Sequence, residues 1–229
     1  MRLYYDIHIH SCLSPCADND MTPNNIINMA SLLGLDVIAV SDHNSAKNLP
    51  AVFKLGKKAG ITVIPAIEVT TAEEVHVLCL FYTLDDAIDF SEMLYDNLMF
   101  VKNRPDIFGE QYVMNEKDEI IATEEKLLIN AATLSIDNLL STVGNYHGVL
   151  IPAHIDKTSN SIISNLGFIP PQYNIKCVEV KNPPYESKLK MNVITNSDSH
   201  TLESMREPTY YVNAPENTIK AFIDAIMTQ

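Results

Sequence analysis

The chain has 229 residues, enough to bury a continuous core without disulfides, and no break in composition divides it, so one domain over residues 1–229 is expected. Hydrophobic residues make up 46%, yet no apolar run is long enough to span a bilayer and the N-terminus enters a strand directly, so a soluble, cytoplasmic protein with no membrane partner is expected. The formal charge of -13 would repel long nucleic acid from most of the surface, and four cysteines without a paired CxxC framework point to reduced thiols.

The first strand, Leu3-Tyr4-Tyr5-Asp6-Ile7-His8-Ile9-His10, runs into a polar loop from Ser11 to Asp18 that carries Cys12 and Cys16. Side chains alternate across a strand, so His8 and His10 share one face, where two imidazoles can grip one ion, while Ile7 and Ile9 face a core. Thr22-Pro23 reads as the cap and first residue of a helix that reaches Leu33 and that Gly34 ends. An apolar strand from Leu35 to Val40 then delivers Ser41-Asp42-His43-Asn44, repeating the opening order of strand, acid and histidine. A second helix spans Pro50 to Ala59 with Gly60 as its stop, and a third strand, Ile61 to Ile67, ends at Glu68. Val75 to Tyr82 forms a strand with His76 near its start, and a helix follows from Asp85 to about Phe100.

Between Asn103 and Thr133 the alternation breaks. Residues 111–114 and 119–122 flank the turn-like Asn115-Glu116-Lys117-Asp118, which predicts a hairpin within an insertion or lid. Ser135 caps a helix to about Tyr146, and a buried strand from Val149 to Ala153 ends at His154. Cys177 to Val180 is a short strand, Asn192 to Asn196 leads into Ser197-Asp198-Ser199-His200, and a last helix runs from Glu216 to about Met227. Strand alternating with helix places the chain in the α/β class with a parallel sheet, doubly wound or closed as a barrel. In a barrel the carboxyl ends of the strands meet at one mouth, and His8, His10, His43, Glu68, His154, Asp198 and His200 all fall at such ends.

Six of the seven histidines therefore lie at strand ends or within a strand, beside Asp42, Glu68 and Asp198; His147, in a helix-to-strand turn, is given no role. A catalytic zinc takes three side chains plus water, so this many donors predict two or three divalent ions. Mixed imidazole and carboxylate donors with few thiolates favour zinc, manganese or iron. Ions about 3.5–4 Å apart activate a shared water and clamp both oxygens of a phosphoryl transfer, which makes phosphoester hydrolysis the expected chemistry.

These residues resemble the polymerase and histidinol phosphatase (PHP) family of metal-dependent phosphoesterases. Asp6-Ile7-His8-Ile9-His10 is similar to its first motif, Ser41-Asp42-His43 to its second, Pro152-Ala153-His154 to its third and Asn196-Ser197-Asp198-Ser199-His200 to its fourth. The resemblance implies a distorted (β/α)7, TIM-like barrel with up to three metals at its mouth. By position it implies that His8, His10, Glu68 and Asp198 hold one ion, that Glu68 bridges to a second held by His76 and His154, and that His43 and His200 hold a third. Where the family commonly has His or Asp this chain has Cys16, which leaves that thiolate or nearby Asp18 to complete the third set.

Asp42 is expected to orient His43 or His10 from behind. Lys157, three residues past His154, and Arg206, six past His200, are candidates to hold a substrate phosphate. The expected substrate is a small phosphomonoester, either a phosphorylated metabolite or a nucleotide. The alternatives are a nucleotide phosphodiesterase or short-oligonucleotide exonuclease, an amidohydrolase-like enzyme on a similar metal frame, and a module that holds metal without turnover.

Overall fold

A computed structural model of the protein describes residues 1–185 and 191–228. Its first half is ordered as β1 (Arg2–Ile9), α1 (Pro23–Leu33), β2 (Val37–Val40), α2 (Leu49–Ala59), β3 (Thr62–Val63), β4 (Ala66–Thr70), β5 (His76–Phe81) and α3 (Leu84–Asp96). The second half follows as α4 (Pro105–Phe108), β6 (Tyr112–Met114), β7 (Ile120–Thr123), α5 (Ile136–Asn145), β8 (Gly148–Pro152), α6 (Ile162–Leu166), β9 (Cys177–Val180), β10 (Asn192–Thr195), β11 (Tyr211–Asn213) and α7 (Ile219–Thr228).

Local chemistry sets most boundaries. The Thr22 hydroxyl accepts from the Asn25 N–H to start α1, and Gly34, at φ 76°, ends it in the left-handed region that a side chain would resist. The expected third strand is two pieces, β3 and β4, parted at Ile64-Pro65 because proline has no N–H to give a ladder. α3 stops at Asp96, short of the expected Phe100: Thr133 donates to the Asn97 carbonyl through both its N–H and its hydroxyl, and the chain leaves the helix. The last helix opens later than Glu216, at Ile219, where the Thr218 hydroxyl accepts from Ala221 N–H.

The expectation of one parallel sheet is corrected. Among the described residues the strands fall into four hydrogen-bonded sheets, β11-β1-β2-β3, β10-β9, β4-β5-β8 and β6-β7. β1, β2 and β3 run parallel, as do β9 and β10, whereas β4, β5 and β8 are antiparallel throughout. The reason is length: residues 71–75 are all that join β4 to β5, and a parallel crossover needs a dozen or more. The reversal has a consequence for chemistry. It pairs His76, first in β5, with Thr70, last in β4, so His76 emerges at the same end as Glu68. Two single bridges stitch the sheets at that end, Ile9 to Ser199 and His43 to Glu68.

Both faces of the central strands are buried, so alternate residues enter different cores. Val37, Ala39, Leu78 and Leu80 pack with Leu3, Tyr5, Ile7 and Phe222, while Ile38, Val40, Val77 and Phe81 pack with Val52, Phe90 and Leu139 of the covering helices. Each buried Leu, Ile or Phe contributes about 1.5–3 kcal/mol, which is ample to hold a polar cluster at the strand ends.

The expected hairpin is present as β6 and β7, antiparallel with an irregularity between Val113 and Met114. It is docked by backbone groups: Tyr112 N–H donates to the Cys12 carbonyl, Met114 N–H to Asn48 Oδ1, and Asn48 Nδ2 to the Tyr112 carbonyl. Gly109, at φ 99°, lies so close to Pro15 that a Cβ there would stand 2.1 Å from the Pro15 carbonyl oxygen. The insertion thus presses on the loop that follows β1.

Candidate metal centre

The ends of β1, β2, β8 and β10, the start of β5 and the middle of β4 bring six imidazoles and two carboxylates together; Glu68, expected just past a strand, is the central residue of β4. His8 and His10 share one face, their ring centroids 5.2 Å apart. From them the rings close a circuit: His10 to His43 at 4.5 Å, His43 to His76 at 5.2 Å, His76 to His154 at 5.3 Å and His154 back to His8 at 5.8 Å. His200 stands outside it, 4.3 Å from His10.

Glu68, fully buried, is the hub. Its Oε1 lies 3.2 Å from His8 Nε2, 3.0 Å from His76 Nδ1 and 3.2 Å from His154 Nε2, while Oε2 lies 3.3 Å from His10 Nε2 and 3.1 Å from His43 Nδ1. Asp198 Oδ1 adds contacts of 3.5 Å to His8 Nε2 and 3.4 Å to His10 Nε2. Two of these residues sit on strained backbone, His154 at φ 30° and Asp198 at φ 50°, a conformation that the surrounding structure must impose on a residue with a Cβ.

The far sides of His8, His10 and His200 are held. Glu179, on β9, accepts from His8 Nδ1 at 2.9 and 3.0 Å; a carboxylate only accepts, so Nδ1 carries the proton and the Nε2 lone pair of neutral His8 points inward. The same carboxylate accepts from the His154 N–H at 2.8 Å and from Asn196 Nδ2 at 2.7 Å. Behind His10 the chain is longer. Ser14 donates its hydroxyl proton to Asp42 Oδ1 at 2.7 Å and accepts from His10 Nδ1 at 3.1 Å and from the His43 N–H at 3.1 Å. Asp42 is fixed in turn by the Ser11 N–H and hydroxyl, at 2.7 and 2.6 Å. His200 Nδ1 donates to the Asp198 carbonyl at 3.0 Å. Asp6, fully buried, sits behind the cluster, accepting the N–H groups of Ser197 and Arg206.

Electrostatics follows from burial and crowding. Burial opposes the charge on Glu68, but the imidazoles of His76, His8 and His43 hold its carboxyl well below the usual range. Burial likewise opposes protonated His8, and Glu179, Glu68 and Asp198 together outweigh it, raising that imidazole well above its ordinary value. His43 goes the other way: burial lowers it, and His10, His76 and His200 add to the fall. His200 is lowered to about 4 by burial and by His10.

Metal ions fit these donors. His8 Nε2, His10 Nε2, His43 Nδ1 and Glu68 Oε2 are buried with no hydrogen-bond partner, a costly state that an ion among them would relieve. Three groups have ligand atoms within 4.8 Å of one another and could each hold an ion: His8, His10 and Asp198; His10, His43 and His200; His43, Glu68 and His76. Neither Cys16 nor Asp18 belongs to them. Cys16 is exposed, its thiol pushed up to about 12 by the protein around it and by Glu68.

Lys157 reaches the cluster, its Nζ 3.1 Å from Asp198 Oδ2. Arg206 does not: its guanidinium turns to the Lys181 carbonyl and the Tyr210 ring. His147 is exposed and pairs with Asp86 at 3.1 Å, away from the cluster. Sequence reasoning missed Glu179 and Lys181. The signal for the first was there, since an acid within the apolar four-residue strand Cys177-Val178-Glu179-Val180 is buried only with a partner. Lys181 follows it directly, its Nζ 3.3 Å from Asp198 Oδ2.

A family model described as the PHP domain matches residues 6–165. Among curated proteins, the chain is 30% identical over 80 residues to the phosphoribosyl 1,2-cyclic phosphate 1,2-diphosphodiesterase of Eggerthella lenta, a match that covers 33% of this chain and 29% of that protein. It is 32% identical over 76 residues to the protein MJ1587 of Methanocaldococcus jannaschii, covering 30% of this chain and 44% of that one, so the matches span less than half of either relative. Among solved structures, 99% of the chain superposes on 56% of the lesion-specific endonuclease EndoQ of Pyrococcus furiosus, with a TM-score of 0.71 at 19% identity. A structure from Bifidobacterium adolescentis designated a metal-dependent phosphoesterase gives 0.61 at 17% identity, over 97% of this chain and 94% of that one. At such identities these two likenesses speak for the fold alone.

Proposed function

On the footing that this chain belongs to the PHP domain family of metal-dependent phosphoesterases, we propose that it hydrolyses a small phosphomonoester, using two or three divalent ions of zinc, manganese or iron held by its six clustered histidines, Glu68 and Asp198. The observation that carries this reading is the set of buried nitrogens and one carboxylate oxygen left without partners around a single hub. Bound ions would supply an activated water and neutralise charge on the phosphoryl group. The protein's own residues do the rest. Glu179 and the Asp42-Ser14 pair keep His8 and His10 turned with their lone pairs inward, Glu68 offers each of its oxygens to a different set of imidazoles, and Lys157 takes a phosphate oxygen. His10, His43 and His200 are the donors we assign to a third ion, with Cys16 or Asp18 free to join them. We read the seven strands β10, β1, β2, β4, β5, β8 and β9 as the wall of a distorted barrel around this centre.

A second reading, hydrolysis of a phosphodiester, is favoured by the partial match to the cyclic phosphate diphosphodiesterase. The charge of -13 favours a mononucleotide or a short strand end over long nucleic acid as its substrate. Release of nitrophenol from nitrophenyl phosphate and from bis(nitrophenyl) phosphate, by protein reconstituted with each ion in turn, separates the two. Faster turnover of the monoester is expected, and no turnover of either ester with the sites loaded would refute both readings.

A further inference from the structure

Resting on that function, we propose that Lys181 and Lys157 form a paired ammonium clamp for the non-bridging oxygens of the substrate phosphate, and that this pair makes the enzyme prefer a phosphomonoester to a diester. Asp198 is polarised between two surroundings. Its Oδ1 faces His8 and His10, while its Oδ2 is met by Lys157 Nζ at 3.1 Å and by Lys181 Nζ at 3.3 Å. Two ammonium groups thus converge on one carboxylate oxygen beside the imidazoles, in a chain whose formal charge is -13.

An ammonium has three N–H donors, and among the described residues Asp198 is the only hydrogen-bond partner of either Nζ, so each keeps two donors to offer. Both side chains are about one-third exposed, open to an incoming anion. Their backbones are fixed. The Lys157 carbonyl accepts from Ser161 Oγ, and the Lys181 N–H donates to Asp156 Oδ1 at 2.8 Å, tying the loop after β8 to the end of β9. A monoester near neutral pH carries about -1.5 to -2 charge and three acceptor oxygens. A diester presents a single charge and fewer such oxygens, so a pair of point charges discriminates in favour of the monoester.

The test measures calorimetric binding of inorganic phosphate to manganese-loaded protein, together with kcat/KM for the mono- and bis-nitrophenyl esters, in Lys181→Gln, Lys157→Gln, the double variant and Lys181→Arg. Lys220→Gln, on the surface of α7, is the control. Lys181→Gln is expected to weaken phosphate binding and to lower the mono-to-diester ratio by about ten-fold each, the size of one charge-assisted hydrogen bond. Lys181→Arg should restore most of both, with manganese content equal to wild type throughout. Unchanged phosphate binding in the double variant, an equal loss on both esters, or loss of manganese from Lys181→Gln would overturn the clamp while leaving phosphoester hydrolysis standing. Turnover of neither ester by the wild type would instead remove the proposed function, and phosphate binding alone would then decide the clamp.

Discussion

Two histidine-acid pairs in this molecule have nearly the same geometry and different consequences. At the strand ends His8 Nδ1 lies 2.9 Å from Glu179 Oε1, and on the surface between α3 and β8 His147 Nδ1 lies 3.1 Å from Asp86 Oδ1. The His8 side chain is 0% exposed and the His147 side chain 77%. Burial obliges His8 to find a partner for both nitrogens, and with Nδ1 taken by Glu179 its Nε2 faces only Glu68, Asp198 and other imidazoles. His147 is open to solvent, so its second nitrogen needs no partner from the protein. A short contact therefore makes a pair, and the enclosure around it makes a site.

The largest effect should come from the hub. Glu68→Gln, which keeps shape but removes the charge that five imidazoles surround, is expected to lower phosphoesterase activity by at least about a hundred-fold and to reduce bound metal, read by elemental analysis of the purified variant. Removing metal from the wild type with a chelator should lower its melting temperature, and an ion restored at a hundred times its dissociation constant should return about 2.7 kcal/mol of stability. Unchanged melting on chelation would mean that the buried nitrogens are satisfied some other way.

Glu179→Gln comes next, with metal affinity falling about 10–100-fold, because the amide can present an N–H to His8 and release the tautomer that faces inward. Asp42→Asn acts one group further out, through Ser14, so its effect on affinity should be smaller, about ten-fold. The smallest effect belongs to the surface pair. Asp86→Asn should change stability by no more than about 0.5 kcal/mol in thermal unfolding and leave metal content alone. A loss of metal from that variant would erase the contrast between the two pairs.

Much of the site was readable from the chain because its residues follow simple rules. His8 and His10 alternate with Ile7 and Ile9, and His43, His154 and Asp198 each follow an apolar strand. The caps at Thr22, Ser135 and Gly34 bounded their helices for equally local reasons. The direction of β5 was not read, since Val75 to Tyr82 is apolar in either sense; the brevity of residues 71–75 was the available clue. Glu179 and Lys181 escaped because no spacing links them to the histidines. Their roles arise only when β9 comes to lie beside β10 and the loop after β8, a contact between residues distant along the chain.

Everything above turns on this cluster caging divalent ions. In crystals grown with zinc and measured at its absorption edge, at least two anomalous peaks are expected within bonding distance of the imidazoles of His8, His10, His43 and His76 and of the carboxylates of Glu68 and Asp198. Full zinc in the crystallisation medium with no peak among these side chains would contradict it.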